Sequence, residues 1–326
     1  MSRRSPLGIA DYRAPALLRD RHLQTLLPKL REGRWNVRFR RETWHTPDDD
    51  FVDVDIAAQG ARMLLVFHGL EGSSRSHYAQ ALCAAAIARG WGAAVIHFRG
   101  CSGMPNLTPR AYHSGDSDEL NWMLESAALR WPGSRLLATG ISLGGNVLLK
   151  WLGERGDQAS RVLGAAVAVS APHDLALSAA SLSAGVNRFY TWIFLRTLKR
   201  KSLVKLQRFP GLIDRARLLA ARTFFDFDDS VTAPLHGFAG AHDYWQRSSC
   251  GPFVGGITVP TLIINARNDP FLPAHALPTL RDIGPGVQLA YPDTGGHVGF
   301  FDGRLGPGGV DRFAHALLQW LDDAAR

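Results

Sequence analysis

The sequence predicts an α/β protein built on a mostly parallel, doubly wound sheet with a helical cap insertion. Three observations predict it. Short continuous apolar runs such as Met63-Leu-Leu-Val-Phe67 alternate with stretches of helical pattern; a strand apolar on both faces belongs inside a parallel sheet covered by helices. That rhythm breaks after Ala171-Pro172, and from about Asp174 to Gly255 the chain is mainly helical with no convincing core strand. Finally, Gly140-Ile-Ser-Leu-Gly144 sits where an apolar run passes into a helical pattern, the context of a sharp strand-to-helix turn.

In order, residues 1–34 are mixed and basic, with a short helical stretch at His22–Leu27. Trp35–Thr46 and Phe51–Ala57 alternate as strands around a Pro47-Asp-Asp-Asp50 turn. Arg62–Phe67 is a buried strand, Tyr78–Arg89 a helix ended by Gly90, and Trp91–Phe98 the next buried strand. Asp116–Arg130 is helical, capped by Asp116 or Ser117. The strand 134–140, its following helix and the strand Leu163–Ser170 complete the first half. After the helical stretch, Val259–Asn265 and Val287–Tyr291 are strands, and Val310–Ala325 is an amphipathic helix. The expected organisation is one domain: core at about 35–173 and 256–326, a cap at about 174–255 over the ligand-binding sheet edge, and an N-terminal extension at 1–34.

With 326 residues and 46% hydrophobic content, the chain can bury a large core. The net charge of +8 is spread widely, with clusters at Arg3-Arg4, Arg38–Arg41 and Lys199–Lys201, and no aromatic-interleaved basic motif points to nucleic acid. Three widely spaced cysteines, Cys83, Cys101 and Cys250, argue against a disulfide framework and for a reducing, cytoplasmic setting. Asp11 and Arg13 interrupt any leader-like apolar region, and no apolar run reaches membrane-span length.

The chemistry centres on Ser142. Glycine at 140 and 144 removes side chains that would collide with the serine in so tight a turn, and the Leu143 amide at the new helix start would face an oxyanion. A serine nucleophile needs a base and an acid to orient that base. In this layout the chain order is Ser, then Asp or Glu, then His. Of twelve histidines, His297 and His315 follow the late strands; His315 falls in the last helix, whereas His297 lies in the loop Asp293–Phe300. Asp269 is the only carboxylate in the loop after Val259–Asn265; Asp282 comes too late and Asp293 is too near His297. A second oxyanion donor is expected after the first buried parallel strand, at the Leu70 amide beside Gly69. His68 is expected to brace that loop, Arg99 to be an ion-pair partner, and Asp226-Phe-Asp-Asp229 to be a solvated loop. Cys101 has no assigned base. Without a metalloprotease, Walker or dinucleotide motif, no cofactor and no metal are inferred.

At this point the residues match a family. His22-Leu-Gln-Thr25, Phe67-His-Gly-Leu-Glu-Gly-Ser-Ser74, Phe98-Arg-Gly-Cys-Ser-Gly103, Tyr112-His-Ser-Gly-Asp116, Gly140–Asn146, Ala233-Pro-Leu-His-Gly-Phe238, Asn268-Asp-Pro-Phe271 and Gly295–Phe300 spread over most of the chain. With them the chain resembles the YheT-like, ABHD-type branch of the α/β-hydrolase superfamily. That branch includes bacterial esterases, mammalian ABHD-type lipid enzymes and fungal medium-chain ethyl-ester synthases. The resemblance implies the same triad, Ser142, Asp269 and His297. Asn268 departs from the Asp expected in many relatives, which lowers local charge.

The expected function is hydrolysis of carboxylic esters with an apolar, short- to medium-chain or lipid-like acyl group, through an acyl-enzyme. The alternatives are an acyltransferase, in which an alcohol replaces water, and a catalytically silent lipid-binding protein. In the cap, Val186, Phe189, Tyr190, Ile193, Phe194 and Leu198 fall at helical spacing, with Arg196, Lys199, Arg200 and Lys201 clustered toward the C-terminal end. This is expected to be a helix packed on the core with a solvated basic end; its spare apolar side would line an acyl pocket or make weak peripheral contact with an anionic membrane.

Overall fold

The continuous apolar runs become the inner strands of one sheet. The computed structural model describes Ile9 and residues 12–31, 35–303 and 309–326. The Arg3-Arg4 pair, Asp11 and the start of the chain lie outside the described residues. The strands are β1 (Arg40–His45), β2 (Phe51–Ala58), β3 (Arg62–Phe67), β4 (Gly92–Ile96), β5 (Arg135–Ile141), β6 (Ala165–Val169), β7 (Thr261–Ile264) and β8 (Val287–Ala290). They lie in the order β1-β2-β4-β3-β5-β6-β7-β8. β2 pairs antiparallel with both β1 and β4, and every pairing from β4 to β8 is parallel.

β3 shows why its run carries no alternation. Met63, Leu65 and Phe67 enter the core on one face, while Leu64 and Val66 enter the core on the other. On the first face lie α3 (Ser117–Arg130) and α4 (Leu143–Arg155); on the second lie α2 (His77–Ala88) and α11 (Gly309–Ala324). A short α1 (Arg21–Leu26) precedes the sheet.

Between β6 and β7 the chain makes α5 (Leu175–Leu182), α6 (Asn187–Arg208), α7 (Arg215–Ala220), α8 (Phe224–Phe227), α9 (Ala233–His236) and α10 (Ala241–Ser248). Of these, α5, α6, α8 and α10 share an apolar cluster that includes Leu182, Tyr190, Phe224 and Trp245 together with Phe271 and Leu272 from the core, while α7 and α9 pack on a second one around Leu195, Leu218 and Phe227. The two ends of this stretch meet, because the Gly251 amide donates to the His173 carbonyl at 3.0 Å. Among the described residues, no helix is long and apolar enough to cross a membrane.

Several local expectations need correction. The first strand is shorter than Trp35–Thr46. Trp35, Val37 and Phe39 still pack on the core, but the ladder with β2 begins only at Arg40 opposite Ile56. Asp116 occupies the N-cap position of α3 without capping it, since both its oxygens accept from Arg110. The Asp226–Asp229 segment is helical rather than a solvated loop. Asp226 closes a capping box with Thr223, Asp228 is buried and accepts from Thr232 and Trp245, and Asp229 accepts from the Ala241 amide. The basic end of α6 is only partly solvated: Arg196 and Arg200 are exposed, whereas Lys199 donates to the Leu219 and Ala221 carbonyls and Lys201 to Glu71, and beyond them Lys205 donates to Asn106 and the carbonyls of Thr108 and Arg110. Arg99 is the expected ion-pair centre, bound to Asp48, Asp50 and Glu119 at 2.6–2.9 Å.

Candidate active site

Ser142 stands between the last residue of β5 and the first of α4, at φ 53° and ψ −118°. L-residues rarely adopt such a backbone, and strain of this kind gathers at functional sites. Its amide donates to the Val169 carbonyl on β6 at 2.8 Å, which pins the turn to the sheet. The flanking glycines answer a different crowding from that expected. A Cβ on Gly140 would lie 2.5 Å from the Gly144 carbonyl oxygen, and one on Gly144 would lie 2.6 Å from the His68 carbonyl oxygen and nearer still to that of Phe67. The glycines therefore let α4 start directly against β3 and β5, rather than clearing space around the serine side chain.

His297 and Asp269 come to this serine from two separate loops. His297 Nε2 lies 2.9 Å from Ser142 Oγ, and His297 Nδ1 lies 2.8 Å from Asp269 Oδ2. With the carboxylate accepting from Nδ1–H, Nε2 is left to accept the serine proton. The Asp269 side chain is fully buried, and its second oxygen accepts from the Phe271 amide at 2.8 Å. The Phe271 ring lies 4.4 Å from the imidazole, centroid to centroid.

The histidine loop is held by residues that local sequence reasoning passed over. The His297 amide donates to Thr25 Oγ1 at 2.9 Å, the Gly296 amide to Asn268 Oδ1 at 3.1 Å, and the Val298 amide to Ser170 Oγ at 3.1 Å. Buried Gln24 bonds both the amide and the carbonyl of Phe301, at 2.8 and 2.9 Å. The stretch His22–Thr25 thus braces the loop. The departure at Asn268 also gains a role, since its Nδ2 donates to the Arg19 carbonyl while its Oδ1 holds Gly296. Val298 at φ 61° and Phe300 at φ 43° carry left-handed backbone without being glycine, and no sequence signal marks them.

The loop after β3 reaches the same place. A Cβ on Gly69 would sit 3.2 Å from Ser142 Cβ, so the chain passes close to the serine there. Among the described residues, neither the Leu70 nor the Leu143 amide has an acceptor. His68 takes the bracing role expected of it: Nε2 accepts from the Phe98 amide at 3.1 Å, which leaves Nδ1 to donate to the Gly69 carbonyl at 2.8 Å. Burial pushes its pKa down to about 3, so it stays neutral. Cys101 is buried, and burial pushes its thiol up to about 12, well away from a thiolate nucleophile. His315 lies in α11, where its ring and carbonyl meet Arg89.

Ser142 and His297 open onto a cavity of about 380 Å³. Leu182, Tyr190, Ile193, Phe194, Phe224 and Trp245 from the inserted helices wall it, with Phe271 and Leu272. Among the described residues, no group of three or more His, Cys, Asp or Glu side chains is placed to hold a metal ion.

Comparison with known proteins extends this geometry. The family described as alpha/beta hydrolase fold matches residues 62–304. The Escherichia coli (strain K12) protein named "Putative esterase YheT" is 40% identical over 87% of this chain and 85% of its own length. A monoacylglycerol lipase of Saccharomyces cerevisiae is 30% identical over 82% of this chain and 60% of its own. Phospholipase ABHD3 of Mus musculus is 29% identical over 86% and 71%. Among solved structures, the Pyrococcus furiosus esterase Pf2001 aligns at a TM-score of 0.56 with 15% identity, over 89% of this chain and 92% of that one, a likeness of fold.

Proposed function

This chain belongs to the α/β hydrolase fold family, in the YheT-like, ABHD-type branch, and is a carboxylic ester hydrolase; on that premise we propose that it works through Ser142, His297 and Asp269. Ser142 Oγ attacks the acyl carbonyl as His297 Nε2 takes its proton. The amides of Leu70 and Leu143 receive the oxyanion. Asp269 holds the imidazole tautomer and stabilises the imidazolium without taking the proton. His297 then protonates the leaving alcohol and afterwards draws a proton from the water that clears the acyl-enzyme.

What carries this reading is the unbroken line Ser142–His297–Asp269, at 2.9 and 2.8 Å, at the wall of an apolar cavity. Helices α5 to α10 act as a cap, and the aliphatic and aromatic lining supports a substrate with a short- to medium-chain or lipid-like acyl group. The test is labelling with a fluorophosphonate, the modified peptide being located by mass spectrometry, alongside hydrolysis of a graded ester panel. Wild type is expected to label at Ser142. Ser142→Ala is expected to lose label and more than about a thousandfold in kcat, as when a nucleophile that acts in concert with its base is removed. A Ser142→Ala protein that still hydrolyses esters at the wild-type rate would overturn the reading.

The substrate is drawn from an anionic lipid surface. Val186, just before α6, and Phe189 and Trp192 within it are 67%, 53% and 57% exposed. Arg188, Arg196 and Arg200 stand exposed on the same helix, and Ile193 beside them lines the cavity. Exposed aromatic side chains with interspersed arginine suit a headgroup boundary. Wild type is expected to float with vesicles containing anionic lipid, and Phe189→Ser/Trp192→Ser to float less. Equal failure to float on anionic and neutral vesicles would rule this out.

A further inference from the structure

Residues Gly69–Gly72 form a four-residue turn closed by the Gly72 amide on the Gly69 carbonyl at 2.9 Å. Its third residue is Glu71, at φ 55°. A turn with positive φ at that position calls for glycine or asparagine. A larger residue persists there only where its surroundings over-determine it.

Three contacts do so. The Glu71 amide donates to the Tyr112 hydroxyl at 3.0 Å, that hydroxyl donates to Glu71 Oε1 at 2.8 Å, and Lys201 Nζ donates to the same oxygen at 2.7 Å. Tyr112 is anchored in the core, its ring stacked on Phe98 at 5.6 Å. Lys201 comes from α6, in the inserted helices. The Glu71 carboxylate is 8% exposed, and its Oε2 has no donor among the described residues, so the Lys201 ammonium compensates a buried charge. One carboxylate therefore joins the cap to the turn that carries Leu70.

We propose that Glu71, Tyr112 and Lys201 are positioning residues that couple the seat of α6 to the alignment of the Leu70 amide. An oxyanion donor contributes only when it is aimed, within hydrogen-bond distance, at the point where negative charge develops. With Lys201 in place, Glu71 is drawn down, Tyr112 holds the Leu70–Glu71 peptide, and the turn keeps its direction. With α6 lifted, the turn goes slack. This inference rests on the Ser142 reading above.

The experiment is steady-state kinetics on 4-nitrophenyl butyrate and octanoate with the full chain and four variants: Glu71→Gly, Lys201→Met, Lys201→Arg and Ser142→Ala. Glu71→Gly places at this position the residue the backbone prefers, so it is expected to hold or raise Tm. Its kcat is nevertheless expected to fall by about ten- to a hundredfold on both esters, with KM within about twofold, as for an impaired oxyanion donor. Lys201→Met is expected to behave alike in kcat, and Lys201→Arg to recover most of the loss. The proposal is overturned if Glu71→Gly and Lys201→Met keep kcat within about twofold of wild type while Ser142→Ala is inactive. A change confined to KM, or a fall in Tm with kcat intact, overturns it equally, since each describes a different role. A fully active Ser142→Ala would instead remove the site reading on which the coupling stands.

Discussion

At Ser142 the chain must pass from extended to helical within one residue, and the cost falls on its neighbours. Because α4 starts directly on the ends of β3 and β5, a methyl group at position 144 has nowhere to go: the atoms it would meet are the backbone oxygens of Phe67 and His68. Gly144→Ala is therefore expected to cost more than about 2 kcal/mol, in the range of strained or overpacked substitutions. Thermal melts would read this, and a Tm equal to wild type would contradict it. The same contrast explains which residues of the candidate site are legible in the sequence. Ser142, His297 and Asp269 each follow a recognisable strand and lie in a loop with few rivals. Thr25, Gln24, Ser170 and Asn268 hold the histidine loop across gaps of up to 277 residues, and no local pattern records a partner that far away. Asn268 was legible only as a missing charge; its donor and acceptor ends both turned out to be used.

At the scale of elements, the inner strands were readable because burial on both faces leaves an unmistakable apolar run, and Arg62–Phe67 emerged with the expected bounds. The edge strand was overextended because alternation reports which side chains face inward, whereas a ladder also needs a partner, and β2 supplies one only from Arg40 onward. Helix α6 was readable as a helix, but its partners were not. Arg196 and Arg200 are exposed as expected, but Lys199 and Lys201 are not free, because their acceptors, the carbonyls of 219 and 221 and the carboxylate of Glu71, lie in other segments of the chain. A cluster of lysines reads alike whether it faces water or a row of carbonyls. The acidic run Asp226–Asp229 resembles a solvated loop for the mirror-image reason, since capping and burial consume each carboxylate separately.

At the scale of the molecule, buried histidines set its response to acid. Burial drives His68, His113 and His236 down to about 3 and His173 to about 4, so the fold holds them neutral. Neighbouring positive charges reinforce this at His113. An unfolded chain takes up those protons near the ordinary value of about 6.5. The stability these groups contribute is thus complete above about 6.5 and lost as pH falls toward 3. Burial of Glu119 and Asp228, which raises them to about 7 and about 6, works in the opposite direction, but only two groups oppose four. Asp50 and Asp55, held below the ordinary carboxylate range despite their burial by hydrogen bonds and, for Asp55, by Arg41, add their own loss below about 3.8. Tm is expected to fall steadily from pH 7 to pH 4.5; a flat profile across that interval would contradict the assignment. The meeting of the two ends of the inserted helices at His173 and Gly251 bears on descent rather than on stability. A closed neck of this kind is a splice point. A gene segment can be exchanged there without shifting the end of either flanking strand, and Ser142, Asp269 and His297 all lie outside the exchanged stretch. On the proposed mechanism, such an exchange would change the walls of the cavity and leave the proposed reacting groups where they are, and the side chain an incoming segment would have to bring with it is the one at position 201.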